Sequence, residues 1–141
     1  MDKNQPKKTD LGRGELLLYQ TEDGQVKLNV RLEDETVWLT QRLMAELFQV
    51  QPQNITMHLK NIYFEGELSE EATCKDFLQV QREGSRTVER RQKFYNLDAI
   101  ISVGYRIKSG MATRFRIWAT EVERHFVEAE REIKKIEEQK S

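Results

Sequence analysis

The residues best suited to chemistry in this chain are amides and cations, not catalytic groups. Two helical segments flank the three-residue break Gln49-Val50-Gln51, and the second carries Ile55, Leu59 and Ile62 at i, i+4, i+7. With that stripe turned inward, the opposite face presents Gln53, Met57 and Lys60, flanked by Asn54, Thr56 and Asn61. Gln and Asn pair bidentately with adenine, Met or Thr methyls meet the thymine methyl, and Lys reaches guanine or phosphate. No carboxylate lies between Glu46 and Glu65, which matters beside a polyanion. The layout predicts a helix-turn-helix whose second helix enters the major groove of duplex DNA. An ordinary helical hairpin with one polar face gives the same pattern, and His58, at the edge of the stripe, reads as packing.

A second group follows. Arg82, Arg86, Arg90, Arg91 and Lys93 cluster around Glu83-Gly84-Ser85, where Phe77–Val80 and Val88–Leu97 predict a hairpin. A hairpin after a helix-turn-helix is a winged arrangement, and these cations are expected to bind phosphate, giving affinity and register without base readout. Basic residues also guard an exposed sheet edge against aggregation, which is the competing explanation.

Enzymatic patterns are weak. His58 and His125 lie in different segments with no carboxylate at metal-ligand spacing, and neither G-x-S-x-G nor H-E-x-x-H occurs. The lone cysteine, Cys74, excludes an internal disulfide, and its acidic surroundings predict a raised pKa, unlike a nucleophile. No catalytic residue, metal or cofactor is expected.

These groups must be positioned by the elements around them. Residues 1–14 are polar and aperiodic, a flexible lead-in. Leu16–Tyr19 and the alternating Val26, Leu28, Val30 and Leu32 predict a hairpin through Glu22-Asp23-Gly24, with Lys27, Asn29 and Arg31 on a solvated face. Thr36–Leu39 is a short strand. Thr40 caps a helix through Phe48, and Pro52 opens the next. The absence of glycine from the break leaves Gln49 or Val50 to make the bend. Ala99–Val103 reads as a short helix after Asp98. From Ala112 a long helix carries Phe115, Trp118, Val122, Phe126, Ala129, Ile133 and Ile136 on one stripe. The distal residues Val122, Phe126, Ala129, Ile133 and Ile136 form a candidate homodimer seam.

The chain has 141 residues, enough for one domain, with 38% hydrophobic and 33% charged residues. Its net charge of -1 hides a basic block. Residues 82–116 hold nine basic residues against Glu83, Glu89 and Asp98. No apolar run approaches the ~20 residues of a membrane helix, so the expectation is a soluble, cytoplasmic protein without membrane partners.

Several stretches are similar to a known family. Leu18–Gly24, Val30–Gln41, Met44-Ala45-Glu46-Leu47-Phe48 and His58-Leu59-Lys60-Asn61-Ile62 carry the resemblance. Phe94-Tyr95-Asn96-Leu97-Asp98, Ile100–Arg106 and Phe115–Thr120 extend it. Together, over residues 16–120, they resemble the RhuM family of bacterial virulence proteins, with a weaker similarity to phage Bro-N type domains. The resemblance implies a DNA-binding protein linked to restriction-modification loci or mobile elements. Family members continue into a longer region, whereas here a charged helix follows Thr120.

The expected fold is α+β, with an N-terminal β-hairpin, a winged-helix-like helix-turn-helix core and a long C-terminal helix; residues 15–120 are expected to form one RhuM-like DNA-binding domain and 121–141 an amphipathic helical extension. The expected function is sequence-preferring binding of double-stranded DNA by a homodimer, without enzymatic activity or a small-molecule substrate. The rival readings are a protein–protein adaptor, with the last helix as its contact, and the regulatory part of a longer enzyme.

Overall fold

The computed structural model describes residues 15–139. Period-two alternation builds β1 (Glu15–Gln20), β2 (Lys27–Glu33) and β3 (Thr36–Leu39), which pair antiparallel in succession. α1 (Gln41–Phe48), α2 (Pro52–Phe64) and a single helical turn, α3 (Glu70–Thr73), come next. β4 (Cys74–Glu83) and β5 (Arg86–Asn96) form a long hairpin, and α4 (Leu97–Ile107) and α5 (Met111–Gln139) complete the chain. The five strands lie in the order β1-β2-β3-β5-β4. The chain is therefore α+β, with one antiparallel sheet and a long C-terminal helix. The lead-in expected at 1–14 lies outside the described residues.

Register assigns the sheet two faces. Leu28, Val30, Leu32, Val37, Leu39 and Tyr95 face the helices and share a core with Met44, Leu47, Ile55, Leu59, Ile62, Ile100, Val103 and Phe115. On the other face Trp38, Phe77 and Phe94 make a smaller cluster, with Phe77 edge-on to Trp38 at 5.2 Å and to Phe94 at 5.5 Å between centroids. Arg31 belongs to this cluster and not to the solvated face expected for it. It is only 4% exposed, its guanidinium lies 4.4 Å from the Phe77 ring centroid, and Nη2 donates to Glu33 Oε1 at 2.8 Å. The reason is non-local. β3 pairs with β5, which brings both phenylalanines beside a strand distant in sequence, and a stacked, paired cation can stay buried there. Lys27 and Asn29 are exposed as expected.

The segment after β5 also departs from expectation. The strand stops at Asn96, whose Oδ1 accepts from the Ala99 N–H at 3.2 Å, and the helix runs on to Ile107. An asparagine cap thus starts the helix earlier than the apolar run alone suggests. At the α4–α5 corner Gly104 is needed for close approach. A Cβ there would collide with Ala112 Cβ and lie 3.0 Å from Phe48 Cζ. The first turns of α5 pack inward through Ala112, Phe115 and Ala119, and Tyr19 meets the Phe115 and Trp118 rings edge-on, each at 5.1 Å. Glu123 then fastens α5 to β3, accepting from Thr36 Oγ1 at 2.9 Å and the Val37 N–H at 3.2 Å. Burial raises the pKa of that carboxyl despite both bonds.

Candidate nucleic-acid interface

The bend between α1 and α2 falls on Gln49, whose φ of 55° and ψ of 50° are left-handed without glycine. It is held because the Gln49 and Val50 N–H groups both return to Ala45 O, closing the end of α1. Thr40 closes the other end, its Oγ1 accepting from the Leu43 N–H at 3.2 Å. Pro52, which has no N–H, needs no acceptor in the first turn of α2, and the Asn54 N–H donates to Gln51 O at 2.9 Å.

Ile55, Leu59 and Ile62 are buried, as their spacing predicts, and Gln53, Asn54, Met57, Lys60 and Asn61 are exposed. Thr56 is exposed too, but its hydroxyl is engaged: Oγ1 donates to Gln41 Oε1 at 2.6 Å, with Pro52 O as a second acceptor at 3.2 Å. Gln41 Nε2 in turn donates to the Tyr95 hydroxyl at 2.9 Å. This Thr56–Gln41–Tyr95 chain ties α2 through α1 to β5. Burial pushes the Tyr95 phenol up to about 12, so it stays protonated at neutral pH. Thr56 therefore positions α2, its hydroxyl already taken up by that tie. Gln41 escaped the sequence reading because its partners lie on two other elements.

The exposed face ends in Phe64, which is 91% exposed and stands seven residues, about two turns, after Met57. That i, i+7 spacing was the available signal for it. Beyond Phe64 the chain becomes acidic, and Arg106 of α4 gathers Glu65 at 2.9 Å and Glu67 at 2.8 Å. Hydrogen bonds from Arg106 hold both carboxyls below their ordinary range. Tyr63 and Thr73 share a hydroxyl–hydroxyl bond of 2.9 Å that fixes the end of α2 against α3.

The hairpin turns at Gly84 with φ 63° in the first of two turn positions, a type II′ requirement. β5 joins β3 only through Tyr95 and Asn96, so the rest of the hairpin leaves the sheet as a two-stranded arm. All five expected basic residues are exposed, but they do not share a surface. Side chains alternate, so Arg91 and Lys93 lie on the helix side with Tyr95, as does Arg82 opposite Thr87. Arg86 and Arg90 lie on the side of Phe94. Arg90 is paired with Glu83 at 2.7 Å, whereas Arg82, Arg86 and Arg91 make no ion pair among the described residues.

The distal stripe of α5 also divides. Val122 and Phe126 are half-buried against the core, while Ala129, Ile133 and Ile136 are exposed, the two isoleucines at 55% and 50%. Cys74 is half-buried; burial is the main cause of its raised pKa, and Glu70 and Asp76 add to it. Among the described residues no group of three His, Cys, Asp or Glu is arranged to hold a metal, and no helix is long and apolar enough to cross a membrane.

Residues 72–135, somewhat under half of the chain, match the family model of the Virulence protein RhuM family. Over that stretch the chain is RhuM-like. The RhuM match takes in β4, the arm, α4 and most of α5, and runs past Thr120 to residue 135. α1 and α2 precede the matched RhuM segment. No curated protein and no solved structure matches the chain.

Proposed function

We propose that this chain is a sequence-preferring binder of double-stranded DNA, with α1 and α2 as a helix-turn-helix and the β4–β5 arm as its wing. The observation that carries the reading is α2. Gln53, Asn54, Met57, Lys60 and Asn61 are exposed together opposite a buried stripe, on a helix fixed to the sheet by the Thr56–Gln41–Tyr95 chain. Base edges are read by side chains that arrive already oriented. On this reading the protein is regulatory, works in the cytoplasm and catalyses nothing. Its place near mobile elements or restriction-modification loci rests on the RhuM resemblance alone. The test is selection of bound duplexes from a random pool at near-physiological salt. Enrichment of a defined site, with affinity falling steeply as salt rises, supports the reading; no enrichment overturns it.

A second reading is favoured by Ile133 and Ile136, exposed near the end of α5. There α5 pairs with a second copy of the chain, giving two reading helices and a palindromic site. Solution mass at micromolar concentration decides: a monomer unaltered by Ile133→Asp with Ile136→Asp rules the dimer out.

A further inference from the structure

The arm carries its free cations on opposite faces. Strand register sets Arg82 on the helix side and Arg86 on the other, flanking a tip made only of Gly84 and Ser85 between Glu83 and Arg86. A protein element lying on one flat phosphate surface needs positive charge on one side only. Cations on both sides match a ligand with two negative walls, which in duplex DNA is a groove. The tip is thin, since Gly84 has no side chain and Ser85 a short one. Six residues per strand, Leu78–Glu83 and Arg86–Arg91, extend past the aromatic cluster, a reach of about 20 Å at ~3.3 Å per residue. With α2 assigned to a major groove, the neighbouring opening along the same duplex is a minor groove.

We infer that the tip of the arm enters the minor groove, with Arg82 facing one strand and Arg86 the other, and that it selects narrow, A·T-rich DNA. Narrow A·T minor grooves concentrate negative potential and attract arginine. A guanine N2 amino group on the groove floor obstructs a deep tip. The inference deepens the DNA-binding reading and rests on it. The arm's sparse apolar contacts suit this role: Val80 is 47% exposed, and a two-stranded ribbon is marginal in water. It can adjust as it enters and order on contact.

The test uses the whole chain and short duplexes that exchange the minor-groove amino group independently of the major groove. Diaminopurine·thymine pairs add the amino group to an A·T-like major groove, and inosine·cytosine pairs remove it from a G·C-like one. The expected result is that A·T and inosine·cytosine duplexes bind about tenfold tighter than diaminopurine·thymine and G·C duplexes. Arg82→Ala and Arg86→Ala should each reduce this ratio, and the double variant should abolish it. Equal binding of the four duplexes by the unaltered chain overturns groove entry while leaving DNA binding intact, and needs no variant to fold. A ratio that depends on one arginine alone overturns the two-walled contact. Failure to bind any duplex at low salt instead removes the DNA-binding reading, and this inference with it.

Discussion

α2 and the β4–β5 arm both offer polar side chains to solvent, yet they are built on opposite principles. α2 is held along its whole length. Three apolar residues anchor it in the core, a hydrogen-bonded chain ties its first turns to the sheet, and the Tyr63–Thr73 bond secures its last. The arm is held at its base, where Phe77 and Phe94 meet Trp38, and thereafter by its own ladder and the Arg90–Glu83 pair. The contrast matches what each proposed contact would require. Reading a base edge needs side chains fixed to a fraction of an ångström, whereas a phosphate wall accepts a cation over a range of positions. Rigidity is concentrated where direct readout of base edges is proposed.

The sharpest way to break this comparison is to remove packing from each region. Ile62 is fully buried, so Ile62→Ala should cost about 2–5 kcal/mol in denaturant unfolding. Val80→Ala on the arm should stay within about 0.5 kcal/mol, as for a surface site. Similar losses at both positions would mean that the arm belongs to the cooperative core.

A smaller effect is expected at the proposed reading face. Gln53→Ala should reduce preference at one base position by about 1–3 kcal/mol with unfolding unchanged, as scored by binding to singly substituted duplexes. Equal losses on preferred and random DNA would show that Gln53 does not read a base.

Smaller again is the loss of the tie. Gln41→Leu deletes the acceptor of Thr56 and the donor to Tyr95, and should lower stability by about 0.5–1.5 kcal/mol. It should also blur base preference more than it weakens binding to random DNA. A stable variant with unchanged preference would separate the tie from readout.

The α1–α2 unit was legible because its signals are local: Thr40 and Pro52 mark the helix starts, and the period of Ile55, Leu59 and Ile62 marks the buried side. The hairpin was legible in position but not in use. Whether Arg82 and Arg86 share a face depends on how many residues lie between them and on which of these form the turn, and a one-residue change in register reverses the answer. Arg31, Gln41 and Glu123 were illegible for a different reason. Each is an ordinary polar residue in its own segment and acquires its role from partners brought in by the β3–β5 pairing or by α5.

The smallest predicted effect concerns the acidic end of α2. Arg106 depresses the pKa values of Glu65 and Glu67, so their contribution is complete above the ordinary carboxylate range and is lost as pH falls through the depressed values. The difference in Tm between the unaltered chain and Arg106→Met should therefore shrink below about pH 4. Glu123 has the opposite sign: its pKa is raised, so its contribution declines as pH rises through that value. A difference that persists undiminished at low pH would show that Arg106 acts through packing of its stem, not through charge.

The corner at Gly104 has a mechanical consequence. Helices are stiff compared with their junctions, and α5 leaves this corner with Ala112 in contact with the glycine and with Phe48 close beside it. From Ala112 to Ile136 the helix runs about 36 Å at ~1.5 Å per residue, so a tilt of about 5° at the corner displaces Ile136 by roughly 3 Å. The absence of one methyl group at position 104, together with the Glu123 anchor to β3, thus sets where the far end of the helix points, and any surface that meets Ile133 and Ile136 is aimed in part by a contact more than six helical turns away.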